Sequence, residues 1–284
     1  MVCSVTPVPR KPWWLFPNLL SLDAPLVAVL WLTLFAKSWG VNYHPGHEYG
    51  VLALSVWTLY VVDRLLDSAV HGDSPRCQAR HHFHRKHRWM FLTAAVLAGA
   101  AALRMILTKS PMALFSYLLV EGIVVAAFFA LVMFRSAQVD EIPYTKNILA
   151  GVAFAFGTAM LAHVYLYDRS IRDLLFSREF MCFATLCILN ISAIDLWEHA
   201  DRCQDVEMKA ADELALTLPL ILLGTAAVIF AAQAELQSTR EFYYAILTGA
   251  ALLHILNQTR ARFSIDSLRV LADAALVVSA LVFF

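Results

Sequence analysis

The sequence predicts an all-α, polytopic membrane protein that forms a single domain over residues 1–284. Apolar residues make up 60% of the chain and charged residues only 15%, against roughly 45–50% and about 25% in soluble globular proteins. The mean hydropathy is +0.63. The apolar residues are also gathered into stretches of about 20, which is the length a helix needs to cross a bilayer.

Nine such stretches are predicted as transmembrane helices. They occupy residues 18–37, 49–66, 89–107, 112–134, 147–167, 178–196, 214–233, 242–258 and 267–284. Nine spans of this length leave only short connections, so no separate soluble domain is expected.

The distribution of basic residues predicts the orientation of these spans. With the N-terminus in the cytoplasm, 15 of the 22 Lys and Arg residues lie on the cytoplasmic side, as positive-inside topology requires. We therefore expect a multi-pass protein with a cytoplasmic N-terminus, located in a cell inner membrane. The net charge of zero argues against a nucleic-acid partner. The five cysteines form no C-x-x-C pair, so neither a disulfide framework nor a zinc site is expected.

Ionisable residues inside spans are costly and are often functional, and a first acidic group closes the second predicted span. Asp63 and Asp67 are four residues apart, about 40° around a helix, so both carboxylates share one face. One or two carboxylates together with substrate phosphates are the usual ligands of Mg²⁺. The alternative is a solvated helix end without a metal.

A second acidic group closes the sixth predicted span. Asn190, Glu198 and Asp201 fall on one helix face, with Asp195 on its flank. This face could oppose the first acidic group, and the alternative is again an interfacial helix end.

A basic group lies between the two acidic groups in sequence. Guanidinium and ammonium groups suit the oxygens of a diphosphate, although cytoplasmic loops are basic for topological reasons alone. The group comprises Arg76, Arg80, Arg85, Lys86 and Arg88, with Lys146 at the start of the fifth span. Five further polar residues within spans are expected to pair with neighbouring helices: Asp23, Glu121, His163, His254 and Asp273.

Together these groups resemble the UbiA superfamily of intramembrane prenyltransferases, in which nine transmembrane helices surround a central cavity. Asp63 and Asp67 match the last two aspartates of the family's first motif, while Leu59 and Tyr60 replace its leading Asn and Asp. The segment from Lys146 to Gly151 is similar to the family's diphosphate-binding lysine and the Gly-rich span that follows it.

The second family motif has aspartates at relative positions 0, 7 and 11. Asn190, Trp197 and Asp201 stand at these positions, and Glu198 is one residue away from the middle position.

The resemblance implies a Mg²⁺-dependent enzyme that ionises an allylic prenyl diphosphate and transfers the prenyl group to a small lipophilic acceptor within membrane lipid. The implied catalytic residues are Asp63, Asp67, Lys146 and Asp201. The implied metal ligands are Asp63, Asp67, Glu198 and Asp201. The implied substrate-binding residues are Arg80, Arg85, Arg88, Lys146, Asn190 and Tyr60. Two alternatives stay open: a terpene cyclase of the same superfamily, which needs no acceptor, and a non-catalytic lipid-binding protein.

Overall fold

The computed structural model describes residues 13–70, 87–134, 144–202 and 205–284. Within these ranges all regular structure is helical and no strand occurs. Helices of 16 or more residues coincide with each of the nine predicted apolar segments. They are α1 (Asp23–Ser38), α2 (Gly46–Val70), α3 (Arg88–Lys109), α4 (Leu114–Phe134), α5 (Tyr144–His163), α6 (Arg178–Arg202), α7 (Val206–Gln233), α8 (Gln237–Thr259) and α9 (Ile265–Leu281).

Six of these helices, α2 to α7, are long and apolar enough to cross a membrane. Helices of this length and composition are typical of integral membrane proteins. Two others, α1 and α9, are shorter, with 16 and 17 residues. The third, α8, interrupts its apolar residues with polar ones such as Arg240, Glu241 and His254.

Helix α1 lies in the middle of the bundle and packs against α2, α5, α8 and α9. Its Trp31 is fully buried and stacks on Phe183 of α6, with ring centroids 4.5 Å apart. The edge of Phe242 from α8 meets the same indole at 5.6 Å. The indole nitrogen donates a hydrogen bond to the backbone oxygen of Leu276 in α9. This aromatic cluster joins four helices, and the indole N–H of Trp31 within it is hydrogen-bonded.

Helices α5 and α6 approach each other closely at Gly151. A Cβ placed on Gly151 would lie 2.5 Å from Cγ1 of Ile188 and 2.7 Å from its backbone nitrogen. Only glycine leaves room for this contact, as in membrane helix pairs that pack through small residues. Since Gly151 lies about one turn from Asn147, the contact also sets the position of the polar start of α5 relative to α6.

On the other side of the bundle, α3 packs against α2 and α4 packs against α5. A short turn joins α3 and α4. Over the residues whose side chains the structure describes, which end at Met133 in α4, the two helices do not pack on each other along their lengths. Few side chains of α4 are buried, and the exposed ones are apolar apart from Ser116. These surfaces are suited to contact with lipid.

Candidate functional site

A cavity of about 610 Å³ lies between α2, α3, α4, α5, α6 and α9. Its walls differ in chemistry from one end to the other. The residues at one end, which we call the charged end, are Asp63, Arg64, Lys146, Asn147 and Asp195. The section between α3, α4 and α5, which we call the apolar arm, is lined by Leu103, Leu118, Val125, Phe129 and Met160 among others. A volume of this size suits a small-molecule ligand.

The charged end brings together residues from three helices. Asp63 and Arg64 come from the last turns of α2, Lys146 and Asn147 from the first turn of α5, and Asp195 from α6. The amide of Asn147 donates a hydrogen bond to Oδ2 of Asp195 at 2.9 Å. Because Asn147 is buried, this bond holds the Asp195 carboxylate at the cavity wall.

Over the residues whose side chains the structure describes, which end at Leu66 in α2, helices α2 and α6 do not pack on each other along their lengths. Asp63 of α2 and Asp195 of α6 both line the cavity. The sequence placed the acidic ends of these two helices as partners across a shared site, and the structure brings one carboxylate from each to the same cavity.

A second set of polar contacts continues from the charged end into the bundle. The buried Arg64 donates a hydrogen bond to the backbone oxygen of Asn18 at 2.8 Å. The amide of Asn190 donates to Oδ1 of Asp273 at 3.3 Å. Asn18, Asn190 and Asp273 also line the cavity. These contacts hold polar groups from α2, α6 and α9 next to one another.

The predicted residues of the second acidic group separate in the structure. Asn190 lines the cavity, whereas Glu198 is not part of its wall and forms an ion pair with Arg269 of α9. Asp201 is exposed near the end of α6 and lies outside the cavity wall. It follows Asp195 by six residues, about 9 Å along a helix, which carries it past the charged end.

The remaining predicted residues occupy several positions. Tyr60 and Lys146 line the cavity, and the Lys146 ammonium lies 5.6 Å from the centre of the Phe128 ring. Arg88 begins α3, where it is exposed and lies over the Trp89 ring. The backbone of Asp67 is helical but its side chain lies outside the described part, as do Arg80 and Arg85 entirely.

Sequence reasoning missed the contributions of Asn147 and Arg269 and placed Asp195 only on the flank of its face. Asn147 follows Lys146 directly, so its position beside a candidate anion-binding residue was a usable signal. Arg269 offered no such signal, because its partner Glu198 is 71 residues away in the chain.

Three of the five intramembrane polar residues pair across helices, as expected. Asp23 contacts Asp273, which in turn accepts from Asn190, and Nδ1 of His163 shares a hydrogen bond with the Tyr117 hydroxyl at 2.8 Å. Glu121 differs, because within the described residues its buried Oε2 has no hydrogen-bond partner. In the same part of the chain, Nδ1 of His254 also lacks one.

Among the described residues, no group of three or more His, Cys, Asp or Glu side chains could hold a metal ion by itself. The charged end offers oxygen donors from Asp63, Asp195 and the Asn147 amide. Oxygen donors are what Mg²⁺ requires, and it is commonly held by one or two carboxylates together with substrate phosphates. The donor set therefore fits Mg²⁺ that binds together with a phosphorylated ligand.

Comparison with known protein families, with curated proteins and with solved structures finds no match to this chain. Its function must therefore be argued from the chemistry of its own residues.

Proposed function

We propose that this protein is a divergent UbiA-like prenyltransferase that uses Mg²⁺ to ionise an allylic prenyl diphosphate and transfers the prenyl group to a small lipophilic acceptor. In this proposal all nine helices cross the membrane, and the cavity between them is the reaction chamber. The N-terminus and the charged end face the cytoplasm. The observation that carries the proposal is the cavity itself, which joins cations and carboxylates at one end to a long apolar arm.

The cations of the charged end are suited to a diphosphate. Lys146 supplies a compact ammonium and the buried Arg64 a planar guanidinium. Both groups donate charge-assisted hydrogen bonds to phosphate oxygens, and the guanidinium can do so with two parallel bonds. A diphosphate bound here leaves its hydrocarbon chain to extend into the apolar arm, where burial of each methylene is favourable.

The carboxylates of Asp63 and Asp195 would hold Mg²⁺ against the diphosphate, with Asp67 one helical turn further along α2. When bound, Mg²⁺ would neutralise the negative charge that grows on the departing diphosphate. Asn147 would keep the Asp195 carboxylate directed to this position through its hydrogen bond, as supporting residues do at metal sites.

Residues of the cavity wall would then protect the reactive cation from water. The allylic carbon–oxygen bond breaks, its electron pair leaves with the diphosphate, and an allylic cation remains. The apolar walls exclude water, so the cation is not hydrolysed. The rings of Tyr60 and Phe154 line the cavity with centroids 6.4 Å apart, and their faces stabilise a nearby cation. The acceptor supplies the electron pair for its new bond to the allylic carbon and then loses a proton.

A second candidate function is amphiphile binding without catalysis. The ion pair of Glu198 with Arg269 and the exposed position of Asp201 favour it, because two implied metal ligands lie outside the cavity wall. Such a protein would bind prenyl diphosphates and leave them intact.

The test is diphosphate release by the purified protein in lipid nanodiscs, using prenyl diphosphates of several chain lengths with and without Mg²⁺. We expect Mg²⁺-dependent release that falls roughly 100-fold in Asp63→Asn and in Asp195→Asn, since each removes a carboxylate that would hold Mg²⁺ against the leaving group. Glu207→Gln is the matched control, because Glu207 is an exposed acidic residue at the start of α7 and lies outside the cavity wall.

Binding of the diphosphate without release would favour the amphiphile-binding function, and neither binding nor release would contradict both. Gas chromatography of the products separates the transferase from a terpene cyclase. A hydrocarbon or terpene alcohol formed without any acceptor would identify the cyclase.

A further inference from the structure

Glu121 stands apart from every other residue of α4. It is the only charged residue between Leu114 and Phe134, and it lines the apolar arm of the cavity. Its Oε1 would lie 3.3 Å from a Cβ placed on Gly157 of α5. The carboxyl group therefore lies against a position on α5 that has no side chain.

The position of Glu121 along the cavity follows from the helix that it contacts. Gly157 is eleven residues after Lys146, which corresponds to about 16 Å along α5 and nearly the same face. Glu121 therefore lies deep in the apolar arm, well away from the ammonium of Lys146. The walls around it are apolar and include Leu118, Val125 and Met160.

A buried carboxyl group without a partner is costly, whether or not it is ionised, and buried polar atoms are normally hydrogen-bonded. Oε2 of Glu121 is buried and finds no partner among the described residues. Gly122, the next residue, also lines the cavity, and a Cβ placed on it would meet nothing within 4 Å. Glu121 and Gly122 both line the cavity, so a ligand group within it can approach the carboxyl group.

We propose that Glu121 binds the hydroxyl or amine group of a lipophilic ligand in the apolar arm. For the identity of that ligand, the inference rests on the proposed function, in which it is the acceptor of the prenyl group. The acceptor is then an alcohol, phenol or amine, not a plain hydrocarbon, because a hydrocarbon offers the Glu121 carboxyl no hydrogen bond. The unpacked boundary between α3 and α4 gives such a molecule a route from the lipid.

The test compares equilibrium binding of radiolabelled dodecyl phosphate with that of its ω-hydroxy derivative to the purified protein in detergent. We expect the hydroxylated ligand to bind about tenfold more tightly, which is the contribution of one hydrogen bond to a carboxyl group. Glu121→Leu should remove this preference, and Glu121→Gln should retain part of it. Leu119→Met, which changes an exposed residue of α4 outside the cavity wall, should leave the preference intact.

An equal preference in the parent protein and in Glu121→Leu would overturn the inference, as would no preference in the parent. If dodecyl phosphate does not bind, the proposed function fails. The role of Glu121 is then tested by comparing the binding of two ligands that carry no phosphate. That pair is dodecanol and its methyl ether, compared on the same variants. Preference for dodecanol that depends on Glu121 upholds the inference, and its absence overturns it.

Discussion

Gly151→Ala is expected to destabilise the protein by forcing α5 and α6 apart. The added Cβ would lie 2.7 Å from the backbone nitrogen of Ile188, whereas an ordinary contact needs about 3.5 Å. The helices must therefore separate by roughly 0.8 Å, because backbone cannot rotate away as a side chain can. Overpacking of this kind typically costs about 1–3 kcal/mol in free energy of unfolding.

The expected loss of unfolding free energy can be measured as a decrease in Tm. For proteins of roughly 150–250 residues, 1 kcal/mol corresponds to about 2–4 °C in Tm, so Gly151→Ala should lower Tm by several degrees. Cys182 and Cys187 are buried in α6, and their exposure to a thiol-reactive fluorogenic dye reports unfolding. The measurement uses a background in which the cysteines at positions 3, 77 and 203 are replaced by serine.

Gly122→Ala is the matched control. A Cβ at Gly122 meets nothing within 4 Å, and alanine is favoured over glycine in a helix interior by roughly 0.5–1 kcal/mol. Its Tm should stay the same or rise. Equal Tm values for the two variants would refute the argument that close α5–α6 packing requires glycine.

Three further predictions concern the polar contacts. Asn147→Leu removes the donor to Asp195, so half-maximal diphosphate release should require roughly 10–100 times more Mg²⁺. Arg269→Gln removes the ion pair between Arg269 and Glu198 and should cost about 1–3 kcal/mol in unfolding free energy, because the pair is only partly exposed to solvent. Burial lowers the pKa of His44, in the loop before α2. Its folded pKa lies below its unfolded value, so Tm should fall as the pH drops below about 6.5, and His44→Gln should weaken this dependence.

Each of these predictions has its own control. An unchanged Mg²⁺ requirement in Asn147→Leu would contradict the supporting role of the amide. The double variant Glu198→Gln/Arg269→Gln should recover part of the stability that Arg269→Gln loses, whereas simple additivity would show that the pair does not interact. A Tm that depends on pH as strongly in His44→Gln as in the parent would remove His44 as the cause.

The helices could be predicted from the sequence because runs of apolar residues long enough to cross a bilayer have few other structures available. Their ends could not. Helix α7 begins at Val206, whereas the apolar segment begins at 214, and α6 continues to Arg202 beyond 196. A helix continues through polar residues outside the hydrocarbon, and hydropathy detects only its apolar part.

The candidate site could be predicted in outline. Alternating topology places the end of α2, the start of α5 and the end of α6 on one side, so Asp63 and Lys146 were expected to be neighbours. The roles within α6 were not predictable, since helical spacing determines the face that a residue occupies but not its partner. Glu198 shares a helix face with Asn190, yet it pairs with Arg269 from α9, while Asp195 lines the cavity.

Photolabelling with a prenyl diphosphate analogue tests the central claim most directly. The analogue carries a diazirine at the far end of its hydrocarbon chain, and labelled peptides are identified by mass spectrometry. We predict labels on the walls of the apolar arm, such as Leu103 and Met160, and loss of labelling when Lys146 is changed to Met. Labels on outward-facing residues such as Leu222 of α7, unaffected by Lys146→Met, would contradict a single ligand that joins the charged end to the apolar arm.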